Sequence, residues 1–182
     1  PVDDPTMQAP VVDDPFSEVR AALKKCTKCH GATGNSSTDG MPNLTAQDPA
    51  YFRTSMQAYV DGDRSHKIMK KLAGSLDEKA LTTMGVFYAL QQPRRSETAA
   101  PGNELAGRNL AQDCASCHGD DGNAEEADTP SLAGQDARYF IKAMNEYREG
   151  VRKDKSMIKA VDGLSEQDML DLAAFYAARE PA

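Results

Sequence analysis

The sequence predicts an all-α fold built from two tandem domains that are related by an internal repeat. When the sequence is shifted by 88 positions, 25 of the 68 residues from Cys26 to Pro93 match their counterparts without a gap. Apolar side chains in each copy recur at the i, i+4, i+7 spacing of a helix face, and no segment alternates as a half-buried strand would. A match of this length indicates duplication of a whole domain rather than of a short motif.

The composition is typical of a globular chain with small cores, since 40% of the residues are hydrophobic and there is no tryptophan. The formal net charge of −7 argues against nucleic-acid binding. No apolar run approaches the roughly 20 residues needed to span a bilayer. Because the sequence begins at Pro1 rather than at methionine, we expect a mature, processed chain.

Residues 1–14 are expected to form a flexible acidic arm, because prolines and aspartates dominate this segment. The first domain follows over residues 15–92. Its helices are placed by N-cap residues, by apolar spacing and by the terminal proline. The first helix is predicted from about Phe16 to Cys26, the second after Asp48, and the third from Asp77 to just before Pro93.

The segment 93–102 is rich in proline, small residues and charges, which predicts a linker. Ten residues reach at most about 33 Å, so the two domains must be near neighbours. The second domain is expected over residues 103–182. Its helices are predicted from Glu104 to Cys114, after Asp136, and from Ser165, where Asp168 completes a capping box.

Each copy contains the motif Cys-x-x-Cys-His, with Cys26, Cys29 and His30 in the first and Cys114, Cys117 and His118 in the second. This motif is the attachment signature of a c-type haem. The two thiols would bond the vinyl groups of the porphyrin, and the histidine would become the proximal iron ligand. We therefore expect two covalently bound haem c groups.

Two other interpretations of the cysteines stay open at this point, namely a zinc site and redox-active dithiols. A shared zinc site, however, would not explain a histidine after each pair or the repetition of a whole domain. Haem attachment to cysteines takes place outside the cytoplasm, which predicts a periplasmic location.

A sixth iron ligand must come from elsewhere in each domain. The repeat offers two matched pairs of methionines, Met56/Met144 and Met69/Met157. The first pair lies on the apolar face of a regular helix, where methionine commonly fills a core. Met69 and Met157 lie in polar segments that we expect to be loops, and we predict that their thioether sulfurs bind the irons. His66 is the alternative ligand on the first iron, but we interpret it as a surface histidine.

The motif set resembles that of the cytochrome c4 family. It comprises Cys-x-x-Cys-His-Gly, Gly-Asn, Pro-x-Leu, Tyr-Phe, Gly-x-Arg, Lys-x-Met and a closing Phe-Tyr-Ala, and it covers both halves from about residue 16. The resemblance implies two tandem class I cytochrome c domains in pseudo-twofold relation, with Met69 and Met157 as ligands. It also implies that the carbonyls of Pro42 and Pro130 accept hydrogen bonds from the two haem-binding histidines, which would fix the imidazoles.

Arg64 and Arg152 precede the two methionine segments. A guanidinium group suits a haem propionate, and a solvated surface arginine is the alternative. The resemblance further implies an electron carrier of a bacterial respiratory chain, soluble or peripherally attached to the membrane, rather than an enzyme. We expect a monomer that exchanges electrons with a membrane oxidase or a quinol-oxidising complex, and that delivers them to a terminal oxidase. The alternative is the cytochrome subunit of a sulfur-compound dehydrogenase.

Charge is distributed unequally between the two halves. Most of the excess acidic residues follow Pro93, and the tract from Gly119 to Asp128 contains several of them, whereas its counterpart from Gly31 to Gly40 is almost uncharged. We expect the second domain to be steered towards a basic partner and the first towards a different one. The residues that would carry this difference are Asp120, Asp121, Glu125 and Glu126.

Overall fold

The computed structural model describes residues 14–182, and this part of the chain contains helices and no strands. The predicted all-α class is therefore confirmed. The first half contains α1 (Arg20–His30), α2 (Pro49–Asp61), α3 (Lys67–Ala73) and α4 (Glu78–Ala89). The second half contains α5 (Glu104–Leu110), α6 (Ala115–His118), α7 (Ala137–Arg148), α8 (Lys155–Val161) and α9 (Glu166–Ala177). None of these helices has the length and apolar character needed to cross a bilayer. Apart from Asp14, the acidic arm lies outside the described residues.

Side-chain caps fix the starts of the longer helices where the sequence predicts them. Asp48 accepts hydrogen bonds from two backbone N–H groups in the first turn of α2, and Asp136 accepts one at the start of α7. Asp77 caps α4, and Ser165 and Asp168 form the predicted capping box at α9. These interactions satisfy backbone donors that a helix would otherwise leave without partners.

The first predicted helix differs from the observed structure in both halves. In the first half α1 extends through the cysteine motif to His30, past the predicted end at Cys26. In the second half the chain forms α5, then a 3₁₀ turn at Ala111–Asp113, and then the single turn of α6. The Cys-x-x-Cys-His residues tolerate helical backbone angles, and their polar pattern gives no signal for a helix end.

The segments around Met69 and Met157 are short helices, so the prediction of loops is wrong. The N–H of Met69 donates to Nδ1 of His66 at 3.2 Å, and the N–H of Met157 donates to a carboxylate oxygen of Asp154 at 2.9 Å. His66 and Asp154 are therefore the N-caps of α3 and α8. This cap gives His66 a structural role that its aspartate counterpart also performs.

Each half has its own hydrophobic core, and the same aromatic pair stands at the centre of both. Phe52 and Tyr88 have ring centroids 5.6 Å apart, as do their counterparts Phe140 and Tyr176. Helix α2 packs on α4 in the first half, and α7 packs on α9 in the second. The repeat thus produces two separate cores of the same design.

The interface between the halves repeats its contacts with the two sides exchanged. The N–H of Gly40 donates to Asp136 at 3.1 Å, and the equivalent N–H of Asp128 donates to Asp48 at 3.0 Å. The side-chain amides behave alike, because Gln47 donates to the Ser131 carbonyl at 2.9 Å and Gln135 donates to the Asn43 carbonyl at 3.0 Å. Such reciprocal contacts define a pseudo-twofold interface.

The predicted linker is held in place by hydrogen bonds to both halves. The N–H of Ser96 donates to the Gly134 carbonyl at 2.8 Å, and the N–H of Arg94 donates to Asn35 at 2.9 Å. The hydroxyl groups of Ser96 and Thr98 both donate to Asp136. The segment therefore contributes to the interface as well as connecting its two sides.

Candidate functional site

The two haem-motif histidines are buried side chains held by equivalent hydrogen bonds. His30 is 8% exposed and His118 is 6% exposed. Nδ1 of His30 lies 3.0 Å from the carbonyl oxygen of Pro42, and Nδ1 of His118 lies 2.9 Å from that of Pro130. A carbonyl can only accept, so each Nδ1 carries the proton and donates it. Each Nε2 is consequently the nitrogen with a lone pair for a metal.

Burial lowers the pKa of both histidines, and the carbonyl hydrogen bond opposes that shift. The two imidazoles are therefore neutral at physiological pH, which is the form that binds iron.

The four motif cysteines are free thiols, and the two of each pair differ in exposure. Cys26 and Cys114 are half-buried, and burial raises the pKa of both thiols. Cys29 and Cys117 are exposed. Each pair thus presents one thiol towards the interior of its half and one at the surface.

The two methionine pairs occupy different environments. Met56 and Met144 are buried within α2 and α7 among core side chains, as expected of core methionines. Met69 and Met157 are half-buried on α3 and α8 and pack only at the margin of the same cores. A methionine side chain at the margin of a core is less constrained by its neighbours than one that is buried inside the core. The assignment of Met69 and Met157 as iron ligands stays a prediction.

The donor set of each half fits a haem c group. Haem c requires two thiols and one imidazole nitrogen, and an electron carrier adds a sixth ligand. Each half offers two unpaired thiols, a neutral imidazole with its Nδ1 fixed, and a methionine on a neighbouring helix. In residues 14–182 no three His, Cys, Asp or Glu side chains come together in a way that would hold a bare metal ion. The two thiols and the imidazole of each half suit an iron delivered within a porphyrin.

The two arginines lie among tyrosines where the halves meet. Arg64 donates to the Tyr51 hydroxyl at 2.9 Å, and Arg152 donates to the Tyr139 hydroxyl at 3.1 Å. Burial opposes the charge on both guanidinium groups, but the surrounding tyrosines raise their pKa values, so both stay protonated. Whether either arginine binds a haem propionate stays a prediction.

The sequence analysis did not identify one residue of this cluster, Glu146. Glu146 forms an ion pair with Arg152, with 2.7 Å between Nε and the carboxylate oxygen. Comparison of the two copies highlights identical residues, whereas position 146 differs from its counterpart, Ala58. The signal that could have identified Glu146 is this difference beside an otherwise matched Gly-x-Arg motif.

The sequence is similar to a family model and to several known proteins. A family model described as Cytochrome c matches residues 100–177. The thiosulfate dehydrogenase electron acceptor of Stutzerimonas stutzeri (strain A1501) is 31% identical over 171 residues, which is 86% of this chain and 79% of that protein. Cytochrome c4 of Pseudomonas aeruginosa is 40% identical over 81 residues, which is 44% of this chain and 40% of that protein.

A solved structure shares the whole architecture. Cytochrome c4 from Acidithiobacillus ferrooxidans superposes with a TM-score of 0.77 at 25% identity. The superposition covers 85% of this chain and 98% of that one. The similarity therefore includes both halves and their relative placement.

Proposed function

The chain belongs to the cytochrome c4 family of two-haem electron carriers, and on this premise we propose that it delivers electrons to a terminal oxidase of a bacterial respiratory chain. The observation that carries the proposal is the repetition of one complete haem-binding arrangement. In both halves a buried imidazole donates through Nδ1 to a proline carbonyl beside two free thiols. Two equivalent centres in one chain suit a protein that receives an electron at one centre and releases it from the other.

Each residue has a defined task in this proposal. Cys26 and Cys29 would anchor the first porphyrin and Cys114 and Cys117 the second, and His30 and His118 would each bind an iron. When bound, each haem supplies an iron that alternates between the ferric and ferrous states. Met69 and Met157 would supply the further ligand to each iron, which would leave no position for a substrate and would raise the reduction potential. The protein accordingly transfers electrons without catalysing a reaction of its own.

The proposed location is the periplasm. Haem c attachment to cysteines takes place outside the cytoplasm, and the four thiols of residues 14–182 are unpaired and available for it. The donor in this scheme is a quinol-oxidising complex, with peripheral attachment to the membrane and a monomeric chain.

A second candidate function is acceptance of electrons from a thiosulfate dehydrogenase. It is favoured by the relative in Stutzerimonas stutzeri that carries this description and that matches 86% of the present chain. The two candidates share the same chemistry and differ in the donor. In this second case the chain would serve as the redox partner of a catalytic protein that oxidises a sulfur compound.

Stopped-flow visible spectroscopy on the two-haem protein distinguishes the candidates. The reduced protein is mixed with a bacterial cytochrome c oxidase under air, and the oxidised protein is mixed with a thiosulfate dehydrogenase and thiosulfate. Rapid oxidation in the first experiment supports the respiratory carrier. Rapid reduction in the second, with none by thiosulfate alone, supports the acceptor. An isolated chain that oxidises thiosulfate without the dehydrogenase would contradict both.

A further inference from the structure

The cluster of arginines and tyrosines at the interface is built in the same way on both sides. Arg64 Cζ lies 5.5 Å from the centroid of the Tyr51 ring, and Arg152 Cζ lies 5.5 Å from that of Tyr139. The backbone N–H of each arginine also makes an equivalent bond, since Arg64 donates to the Ala58 carbonyl at 3.0 Å and Arg152 donates to the Glu146 carbonyl at 2.9 Å. The backbones and the aromatic partners of the two sites are thus matched.

The charge of the two sites is not matched. Arg152 is paired with Glu146, and the side chains of these two residues are only 4% and 17% exposed. At the position of Glu146 the first half has Ala58, and no carboxylate within residues 14–182 comes within ion-pair distance of Arg64. Arg152 is buried and Arg64 is half-buried, and the half-buried carboxylate of Glu146 is paired with Arg152 alone. The net positive charge of the cluster therefore lies on the side of Arg64.

This difference acts where the redox centres are expected. Helix α2 carries Tyr51 and packs on α3, which carries Met69, and α7 packs in the same way on α8, which carries Met157. A positive charge near a redox centre stabilises the form that has one more electron, and the effect is strong where water is excluded. An arginine whose charge is balanced by a carboxylate has much less effect on the reduction potential.

We propose that Glu146 distinguishes the two haem sites electrostatically: by neutralising Arg152 it lowers the reduction potential of the second haem, and so biases electrons towards the first. The inference rests on the proposed function, because it assumes a haem in each half. Glu146 has no direct contact with the haem in this scheme. It acts by balancing the positive charge of Arg152. In the first half Arg64 keeps its full charge beside Tyr51.

The test is a spectroelectrochemical titration of the intact two-haem protein, with each potential assigned to its half by proton NMR of the haem methyl groups. In Glu146→Gln the charge on Arg152 is no longer balanced. We expect the potential of the second haem to rise and that of the first to change less. The reciprocal variant Ala58→Glu places a carboxylate beside Arg64 and should lower the potential of the first haem.

Glu149→Gln is the matched control, because it removes one negative charge from an exposed position on the same segment. It should leave both potentials nearly unchanged. If Glu146→Gln shifts neither potential, or shifts both no more than the control does, the inference is wrong. Haem content and the methionine charge-transfer band are recorded for each variant. If a variant keeps both haems and the methionine band but its potentials are unchanged, only the role of Glu146 is refuted. A protein that does not hold two haems would refute the proposed function itself.

Discussion

The haem-motif histidines show how one hydrogen bond prepares a ligand. Because the carbonyls of Pro42 and Pro130 accept the Nδ1 protons, the orientation of each imidazole is fixed before any iron is bound. The resemblance to the cytochrome c4 family implies these two contacts, which spacing along the chain alone does not predict.

At the residue scale we expect Met69→Ala and Met157→Ala each to remove one thioether ligand. The near-infrared band of methionine-bound ferric haem should fall by about half in each variant, and the potential of the affected haem should drop, because sulfur ligation raises it. Near-infrared absorption and a redox titration of the purified protein measure both effects.

Met56→Leu and Met144→Leu are the matched controls, because these buried methionines pack in the cores and a volume-conserving change there costs less than about 1.5 kcal/mol. Their band should keep its full intensity. Loss of the band in a core variant, with retention in Met69→Ala or Met157→Ala, would assign the ligands to the other pair.

Residue identity alone did not reveal the ion pair of Glu146 and Arg152. Comparison of the copies draws attention to positions that agree, such as the two arginines, because agreement suggests a shared requirement. Position 146 differs between the copies, and its importance depends on the approach of a carboxylate to a buried guanidinium group. That approach is a tertiary contact, which a repeat alignment does not contain.

At the scale of elements, α5 and α9 cross with their backbones in close contact. A Cβ atom at Gly107 would collide with the backbone carbonyl of Asp171, so only glycine allows this approach. The equivalent position in the first half is Val19, in a 3₁₀ turn that packs against α4. The second half therefore brings its first and last helices closer together than the repeat alone would predict.

We expect Gly107→Ala to destabilise the second half by about 1–3 kcal/mol, because overpacking forces backbone atoms apart. Gly163→Ala is the control, since a Cβ there meets no atom within 4 Å, and its effect should stay within about 0.5 kcal/mol. Chemical denaturation followed by circular dichroism gives both values. Equal stability of the two variants would show that the crossing can relax.

The starts of the longer helices were predictable from the sequence, whereas helices α3 and α8, which carry Met69 and Met157, were not. The difference is that a helix cap is a local signal. Caps such as Asp48 and Ser165 satisfy donors within three residues, so the signal is contained in the sequence itself. Helix α3 is short and rich in lysine, and its only fully buried side chain is Ala73. Such a segment lacks apolar periodicity, and tertiary packing decides its conformation.

At the scale of the whole molecule, the acidic tract lies beside the exposed thiol of the second motif. Cys117, Glu125 and Glu126 line one surface hollow. The equivalents of the two glutamates are Ser37 and Thr38, and a lysine, Lys28, replaces Ser116 beside the first exposed thiol. The two haem edges are therefore expected to present opposite charge to approaching partners.

Neutralisation of Glu125 and Glu126 to glutamine should change electron exchange at the second haem at low salt. Oxidation by the anionic hexacyanoferrate(III) should accelerate by roughly a factor of a few, and oxidation by a cationic cobalt tris-phenanthroline complex should slow by a similar factor. Stopped-flow kinetics at several ionic strengths measure this, and the difference should vanish at high salt.

The control changes Glu97 and Glu149 to glutamine, which removes the same charge from exposed positions outside that hollow. Its rates should stay close to those of the unchanged protein. Identical responses of both double variants would mean that net charge alone, and not its position beside Cys117, governs the approach.

The sequence predicted that the halves are near neighbours, but it did not identify the residues that form the interface between them. The matched residues Gln47 and Gln135, and Asp48 and Asp136, are evident from the repeat, but agreement between copies does not distinguish a core, a site or a contact surface. In the structure Asp48 and Asp136 serve two purposes, because each caps a helix of its own half and accepts an N–H from the other.

The reciprocity of those contacts has an evolutionary consequence. A surface whose donors and acceptors match an equivalent surface on an identical copy can join two separate chains as a symmetric dimer. The ancestor of this protein could therefore have been a single-haem subunit that paired with itself before its coding segment was duplicated. Fusion through the segment 93–102 would then have made an existing association permanent, and each copy would have become free to acquire its own charges.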